Sequence, residues 1–246
     1  MKVFPHLCRN MREVSIRQLW GRAWYLFKVN WLLLVGLLVL YVIVSFIPFI
    51  GGLIAWLLPL PALVRVGYLV ARQGQSSFGE AFGDLSLLLK VFVYLFILLL
   101  IPGILIGLGY VLMLGSTVAG VAATYAEAYT EGGKEAMSGV MALSGTGGIL
   151  VVVGYLLLFI LSLFGWAGYY AILSERAGVF SAIGQSFSLT AQNFGTVFLG
   201  LLSFIGLVIL GAIPCGLGLL VVVPMSFVFW PLLYSALTGE EGASHA

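Results

Sequence analysis

"FIPFIGGLIAWLLP", residues 46–59, and "GAIPCGLGLLVVVP", residues 211–224, carry the same punctuation: Ile-Pro, then glycines, then a second proline, all between apolar stretches. Proline and glycine interrupt a helix where the chain must turn. Each passage therefore reads as the turn of a helical hairpin, built on Pro48, Gly51 and Gly52 in the first and on Pro214, Gly216 and Gly218 in the last. A third Ile-Pro-Gly, ending in Pro102 and Gly103, reads the same way.

Working outward, these turns sit in charge-free runs at residues 29–64, 91–126 and 177–239, with a fourth run at 136–174. A bilayer core about 30 Å thick takes about 20 apolar residues per helix, so every run exceeds one span. The chain is 62% hydrophobic and 8% charged, with a mean hydropathy of +1.16; ordinary soluble domains are about one quarter charged. The chain is expected to be an integral membrane protein. Its N-terminus starts polar and stays mixed, unlike a cleaved secretory signal, and is expected to be retained, with Met1 or Met11 as the start.

Residues 14–28 place Ile16, Leu19, Trp20, Ala23, Trp24 and Phe27 at offsets of three and four, with Arg17, Gln18, Arg22 and Lys28 on the other face. This is the pattern of a basic amphipathic helix lying at a membrane surface. Six of the eleven Lys and Arg residues fall within the first 28 positions, which predicts a cytoplasmic N-terminus. Arg12, Arg17, Trp20, Arg22, Trp24 and Lys28 are the candidate lipid-surface residues. Residues 76–90 and 177–193 repeat the amphipathic theme. In the first, Phe78, Ala81, Phe82, Leu85, Leu88 and Leu89 form one stripe, with Glu80 and Asp84 on a solvated face.

Ile47-Pro48, Ile101-Pro102 and Ile213-Pro214 each follow an amphipathic segment and an apolar span. Their prolines lie 54 and 112 residues apart, the second interval about twice the first, and residues 149–173 occupy the missing unit. The expected architecture is all-α: a polytopic membrane bundle of six or seven spans, with interfacial helices and Pro/Gly-punctuated hairpins in four degenerate copies of about 55 residues. Residues 1–29 form the cytoplasmic segment, 30–238 the transmembrane domain and 239–246 a polar tail. Six crossings require residues 91–126 to act as one broken span, or one apolar stretch to be re-entrant. As a helix, that run would be about 54 Å long, so it must fold back or leave the membrane.

No catalytic, cofactor or metal site is legible. All nine acidic residues lie outside the apolar runs, Cys8 and Cys215 sit in unlike surroundings and read as unpaired thiols, and His6 and His245 lie in the tails, leaving no pair for haem. A serine nucleophile would lack a base within the apolar runs. Gly103, Gly107, Gly115 and Gly120, with Ala119 and Ala123, have the small-residue spacing that lets helices approach closely, either in a dimer or within the chain.

From 169 to 234, "YYAILSERAGVFSAIGQSFSLTAQNFG…LLY" resembles bacterial polytopic proteins related to the membrane domain of glycerophosphoryl diester phosphodiesterases. The resemblance rests on Tyr169 and Tyr170, the charged turn Glu175-Arg176, an amphipathic helix ending in Asn193, Gly216 and Gly218, Pro224 and Tyr234. Met225 stands where the pattern has an aromatic residue. The resemblance implies an integral inner-membrane protein of about six spans; the soluble phosphodiesterase domain of some relatives is absent, so its catalysis does not carry over.

The expected function is non-enzymatic: organising lipid or partner proteins in the bacterial inner membrane, with membrane lipid, a membrane protein or a second copy as partner, and no nucleic acid. The alternative is a subunit of a transporter or channel for a small solute or lipid.

Overall fold

A computed structural model describes residues 15–48, 50–127, 133–175, 177–213 and 216–239. Arg12, Pro214, both cysteines and both histidines lie outside them. Every regular element among the described residues is an α-helix: α1 Ile16–Ser45, α2 Gly51–Leu57, α3 Pro59–Gln73, α4 Phe78–Phe82, α5 Leu85–Glu127, α6 Gly133–Gly165, α7 Gly168–Leu173, α8 Val179–Gln192, α9 Phe194–Ala212 and α10 Leu219–Thr238. Among the described residues, six stretches are long and apolar enough to cross a membrane: Ile16–Ser45, Ile54–Gln73, Leu85–Ala122, Ser138–Leu173, Phe194–Ala212 and Leu219–Thr238. The chain is a polytopic all-α membrane protein.

The helices divide into two compact units. One comprises the described residues up to Tyr94 and from Trp166 onward; the other is Leu95–Gly165. In the first, α1, α3 and α10 pack on one another in all three pairings. Backbones touch where side chains vanish: Gly67 of α3 lies directly on the Phe227 carbonyl of α10, leaving no room for a Cβ. In the second unit, α5 and α6 form an antiparallel hairpin. A Cβ on Gly109 would come within 2.7 Å of the Gly147 carbonyl, and one on Gly147 within 2.8 Å of the Gly109 carbonyl. Gly154 is held equally closely by Ile106, and Ser116 is buried.

Three expectations change. Pro102 and Gly103 are not at a turn, because α5 runs through both without interruption. In an apolar medium a broken helix leaves backbone groups without partners; the single hydrogen bond that proline removes costs less than opening a loop there. The 43 residues of α5 make a helix of about 64 Å, longer than the hydrocarbon core. Residues 149–173 consequently form no separate unit: most belong to α6, the partner of α5, so three hairpins replace four copies. The segment 76–90 is two helices, because Ser77 caps α4 through a reciprocal box with Glu80, and Asp84 then accepts the Leu87 N–H at 3.1 Å to start α5. Asn30 (φ −112°, ψ 18°) kinks α1 at the boundary read between residues 29 and 30.

The first and last hairpins share detail that the sequence hid. Asn193, between α8 and α9, has φ −120° and ψ 28°, close to Asn30. Each Asn donates from Nδ2 at 3.0 Å to the carbonyl four residues back, Leu26 or Leu189. Leu19, Ala23, Phe27, Leu34 and Leu37 are buried in α1; Ala182, Ser186, Thr190, Val197 and Gly200, at one constant offset of 163 residues, are buried in α8 and α9. Both turns close by seating a glycine, Gly51 or Gly218, against the residue seven before it, Val44 or Gly211. Both hairpins end in a left-handed glycine cap, Gly74 (φ 84°) and Gly239 (φ 73°).

Candidate functional site

The densest side-chain cluster gathers Tyr68 from α3, Tyr94 from α5, Trp166, Tyr169 and Tyr170 around α7, and Trp230 and Tyr234 from α10. Tyr170 is central: its ring centroid lies 4.4 Å from Tyr169, 5.7 Å from Tyr234, and 6.2 Å from both Tyr68 and Trp166. Trp166 also meets Trp230 at 5.1 Å. The glycine in "WAGYY" makes the cluster close, since the Tyr94 hydroxyl occupies the place a Gly168 side chain would fill. Polar groups are matched inside it. Trp166 Nε1 donates to Thr190 Oγ1 at 3.0 Å, the Ala167 N–H donates to Ser186 Oγ at 3.1 Å, and Arg72 Nη1 donates to the Tyr68 hydroxyl at 2.6 Å. The first two bonds tie the segment just before α7 to α8 and give the buried Thr190 and Ser186 hydroxyls a partner, as a dry interior requires.

α8 therefore buries its small residues Ala182, Ser186 and Thr190 and turns Phe180 outward, 80% exposed. That is an inside-out helix, suited to a lipid exterior. Beside the cluster, between α7, α8 and the last turns of α10, opens a cleft of about 370 Å³. Its floor is Ala167, Ala171, Leu189 and Tyr234, and its rim is Gln185, Ser188, Gln192 and Thr238.

The candidate lipid-surface residues separate. Arg17, Arg22, Trp24 and Lys28 are exposed on α1, with Lys28 Nζ 5.6 Å from the Trp24 ring centroid. Trp20 is half-buried. Its indole stacks on Phe229 and donates to Ser203 Oγ at 2.8 Å. An indole N–H withdrawn from water needs an acceptor, and α9 supplies one, so much of the apolar stripe read for the bilayer is spent on packing within the protein. Of the turn residues, Pro48, Gly51 and Gly52 lie at or just after the α1–α2 turn, and Gly216 and Gly218 lie at the α9–α10 turn. Arg65 lies on α3, where its Nη1 donates to the Asp84 backbone carbonyl at 3.2 Å.

Glu80 and Asp84 are helix-capping groups. The Ser77 N–H, then the Ser76 hydroxyl, hold the Glu80 carboxyl below its ordinary range; the Ser86 hydroxyl and the Leu87 N–H do the same for Asp84, and Arg65 adds a smaller attraction to both. Among the described residues, no three His, Cys, Asp or Glu side chains converge as a metal site would need.

Tyr68, Tyr94, Trp166 and Trp230 escaped the reading of the sequence because each is one aromatic among many in apolar runs. The one local signal was the small–aromatic alternation of "GWAGYY" at residues 165–170. Compared with protein-family models, curated proteins and solved structures, the chain matches none of them.

Proposed function

We propose that this protein organises lipid or partner proteins in a bacterial inner membrane, with its N-terminus in the cytoplasm, and carries out no reaction of its own. The observation that carries the reading is the six-helix count. With six crossings α1 and α9 run the same way, so the hairpins α1–α3 and α8–α10 open on the same side. Their shared Asn bends, burial pattern, turn glycines and caps support descent from one unit used twice in the same sense. Transporters built on inverted repeats place the second copy upside down around broken helices; this arrangement is the opposite one. The exposed Arg17, Arg22, Trp24 and Lys28 give α1 a surface for anionic lipid, each cation contributing about 1 kcal/mol near such a membrane.

Kinship with the membrane domain of glycerophosphoryl diester phosphodiesterases belongs to the same proposal. It rests on the sequence pattern alone; in this chain Tyr169, Tyr170 and Tyr234 of that pattern pack together.

The test is the side of the α9–α10 turn. Leu217, exposed there, is replaced by cysteine in a chain whose Cys8 and Cys215 are serine. A membrane-impermeant thiol reagent should label it in intact spheroplasts. Labelling only after permeabilisation overturns the same-sense arrangement. Solute flux into liposomes above that of empty vesicles would replace the organising role with that of a transporter subunit.

A further inference from the structure

We infer that the cleft between α7, α8 and the end of α10 binds the headgroup region of a neutral, hydroxyl-bearing glycerolipid. This deepens the organising role by naming a lipid class, and it rests on that role only for the presence of a membrane.

The location comes first. Thr238 on the rim is the last residue of α10, immediately before the Gly239 cap. The cleft therefore opens where a span ends, at the boundary between acyl chains and headgroups. A free polyol would need no apolar floor; a lipid does, and Ala171 and Leu189 provide one.

The chemistry comes from the rim. Gln185, Ser188, Gln192 and Thr238 offer carboxamides and hydroxyls, with Gln192 Nε2 donating to Ser188 Oγ at 3.0 Å and the Thr238 hydroxyl to the Tyr234 carbonyl at 2.9 Å, and among the described residues none lining the cleft is a Lys, Arg, His, Asp or Glu. Such a rim suits hydroxyl and ester groups and gives a phosphate no counter-charge. The helix as a whole is consistent with this, because α8, "VFSAIGQSFSLTAQ", has no charged residue.

The matched hairpin sharpens the point. At the constant 163-residue offset, Gly184 of the cleft corresponds to Gly21, and Gln185 to Arg22. The same helical face is cationic in the first copy and neutral in the second. A volume of about 370 Å³ lies at the lower end of the range for small-ligand sites, about 300–1,000 Å³. It is large enough for a glycerol with its ester carbonyls, while the chains remain in the bilayer.

The experiment uses the full chain in phosphatidylcholine nanodiscs doped with a photoactivatable diacylglycerol, with adducts mapped by mass spectrometry. Adducts should fall within residues 184–192 and 234–238, and unlabelled diacylglycerol should compete while phosphatidylglycerol and free glycerol do not. Gly184→Trp, placed where a side chain meets no neighbour within 4 Å, should cut labelling by roughly tenfold, equivalent to about 1.4 kcal/mol. Gly21→Trp, at the corresponding open position, should leave it unchanged. Gln192→Leu, on an exposed rim, gives a second reading that does not depend on filling the cleft, and should also lower labelling. Adducts spread over all spans, equal competition by phosphatidylglycerol, or competition by free glycerol would each overturn the assignment, whichever way the hairpins prove to run.

Discussion

The Trp20 indole lies nearly parallel to the Phe229 ring, centroids 3.9 Å apart and planes within 8°, and so fastens the beginning of the first hairpin to α10, the last helix of the other. The indole N–H is held by Ser203, whose own hydroxyl donates to the Gly200 carbonyl at 2.7 Å. Lipid tails compete with apolar side chains for such surfaces, so this contact contributes through its fit and its hydrogen bond more than through escape from water.

Trp20→Ala should destabilise the protein by about 2 kcal/mol, roughly half the cost of truncating a fully buried aromatic, because one edge of Trp20 is exposed. Ser203→Ala should cost about 0.6 kcal/mol, the typical value for an interhelical side-chain bond in a membrane. Equilibrium unfolding in mixed SDS micelles measures both, and equal losses would show that the hydrogen bond, not the stack, dominates.

Gly67→Ala should separate α3 from α10. The new methyl group would meet the Phe227 carbonyl, and two backbones cannot yield as a flexible side chain can. A loss of about 3 kcal/mol is expected, while Gly36→Ala, with open space around it, should be neutral or slightly stabilising.

The α5–α6 hairpin should respond to its own glycines selectively. Gly109→Ala or Gly147→Ala should cost about 1–3 kcal/mol, because each added carbon meets the opposing backbone within 3 Å. Gly103→Ala and Gly107→Ala meet nothing within 4 Å and should be tolerated. Introduced cysteine pairs across the hairpin would report the difference through slower disulfide formation in the first two variants alone.

The two Asn bends should be unequal. Asn30 also donates to the Gly74 carbonyl at 2.9 Å, fixing α1 to the end of α3, whereas the Asn193 side chain donates locally, to the Leu189 carbonyl. Asn30→Ala is expected to cost about 2 kcal/mol and Asn193→Ala about 1, at about 1 kcal/mol per bond. Matching losses in thermal unfolding would show that the Gly74 contact contributes little.

Acid should loosen the α4–α5 corner. The Glu80 and Asp84 carboxyls both titrate below their ordinary values of 4.5 and 3.8 in the folded chain. The stability they add is therefore present above those values and is lost as pH falls through the lower folded ones. Hydrogen-exchange protection of the Glu80 and Leu87 amides, corrected for the intrinsic rate, should drop in that window, and Glu80→Gln should remove the Glu80 part of the change.

What the sequence determined by itself is the membrane class, the spans and the turns at Gly51 and Gly218. Those follow from local properties: the length of an apolar run against bilayer thickness, and the backbone limits of proline and glycine. The same local rule misread Pro102, because a proline in hydrocarbon has no water to satisfy a broken turn and the helix carries on past it. It also read the stripe of α1 as a lipid face, since period alone shows that a face is apolar and not what covers it. The tertiary structure decided the rest. Trp20 finds Phe229 more than two hundred residues away, Tyr170 gathers aromatics from α3, α7 and α10, and a cleft forms between helices with no shared motif. Such contacts depend on close approach at Gly67 and Gly168, where the missing side chain matters only once another segment arrives to occupy its place.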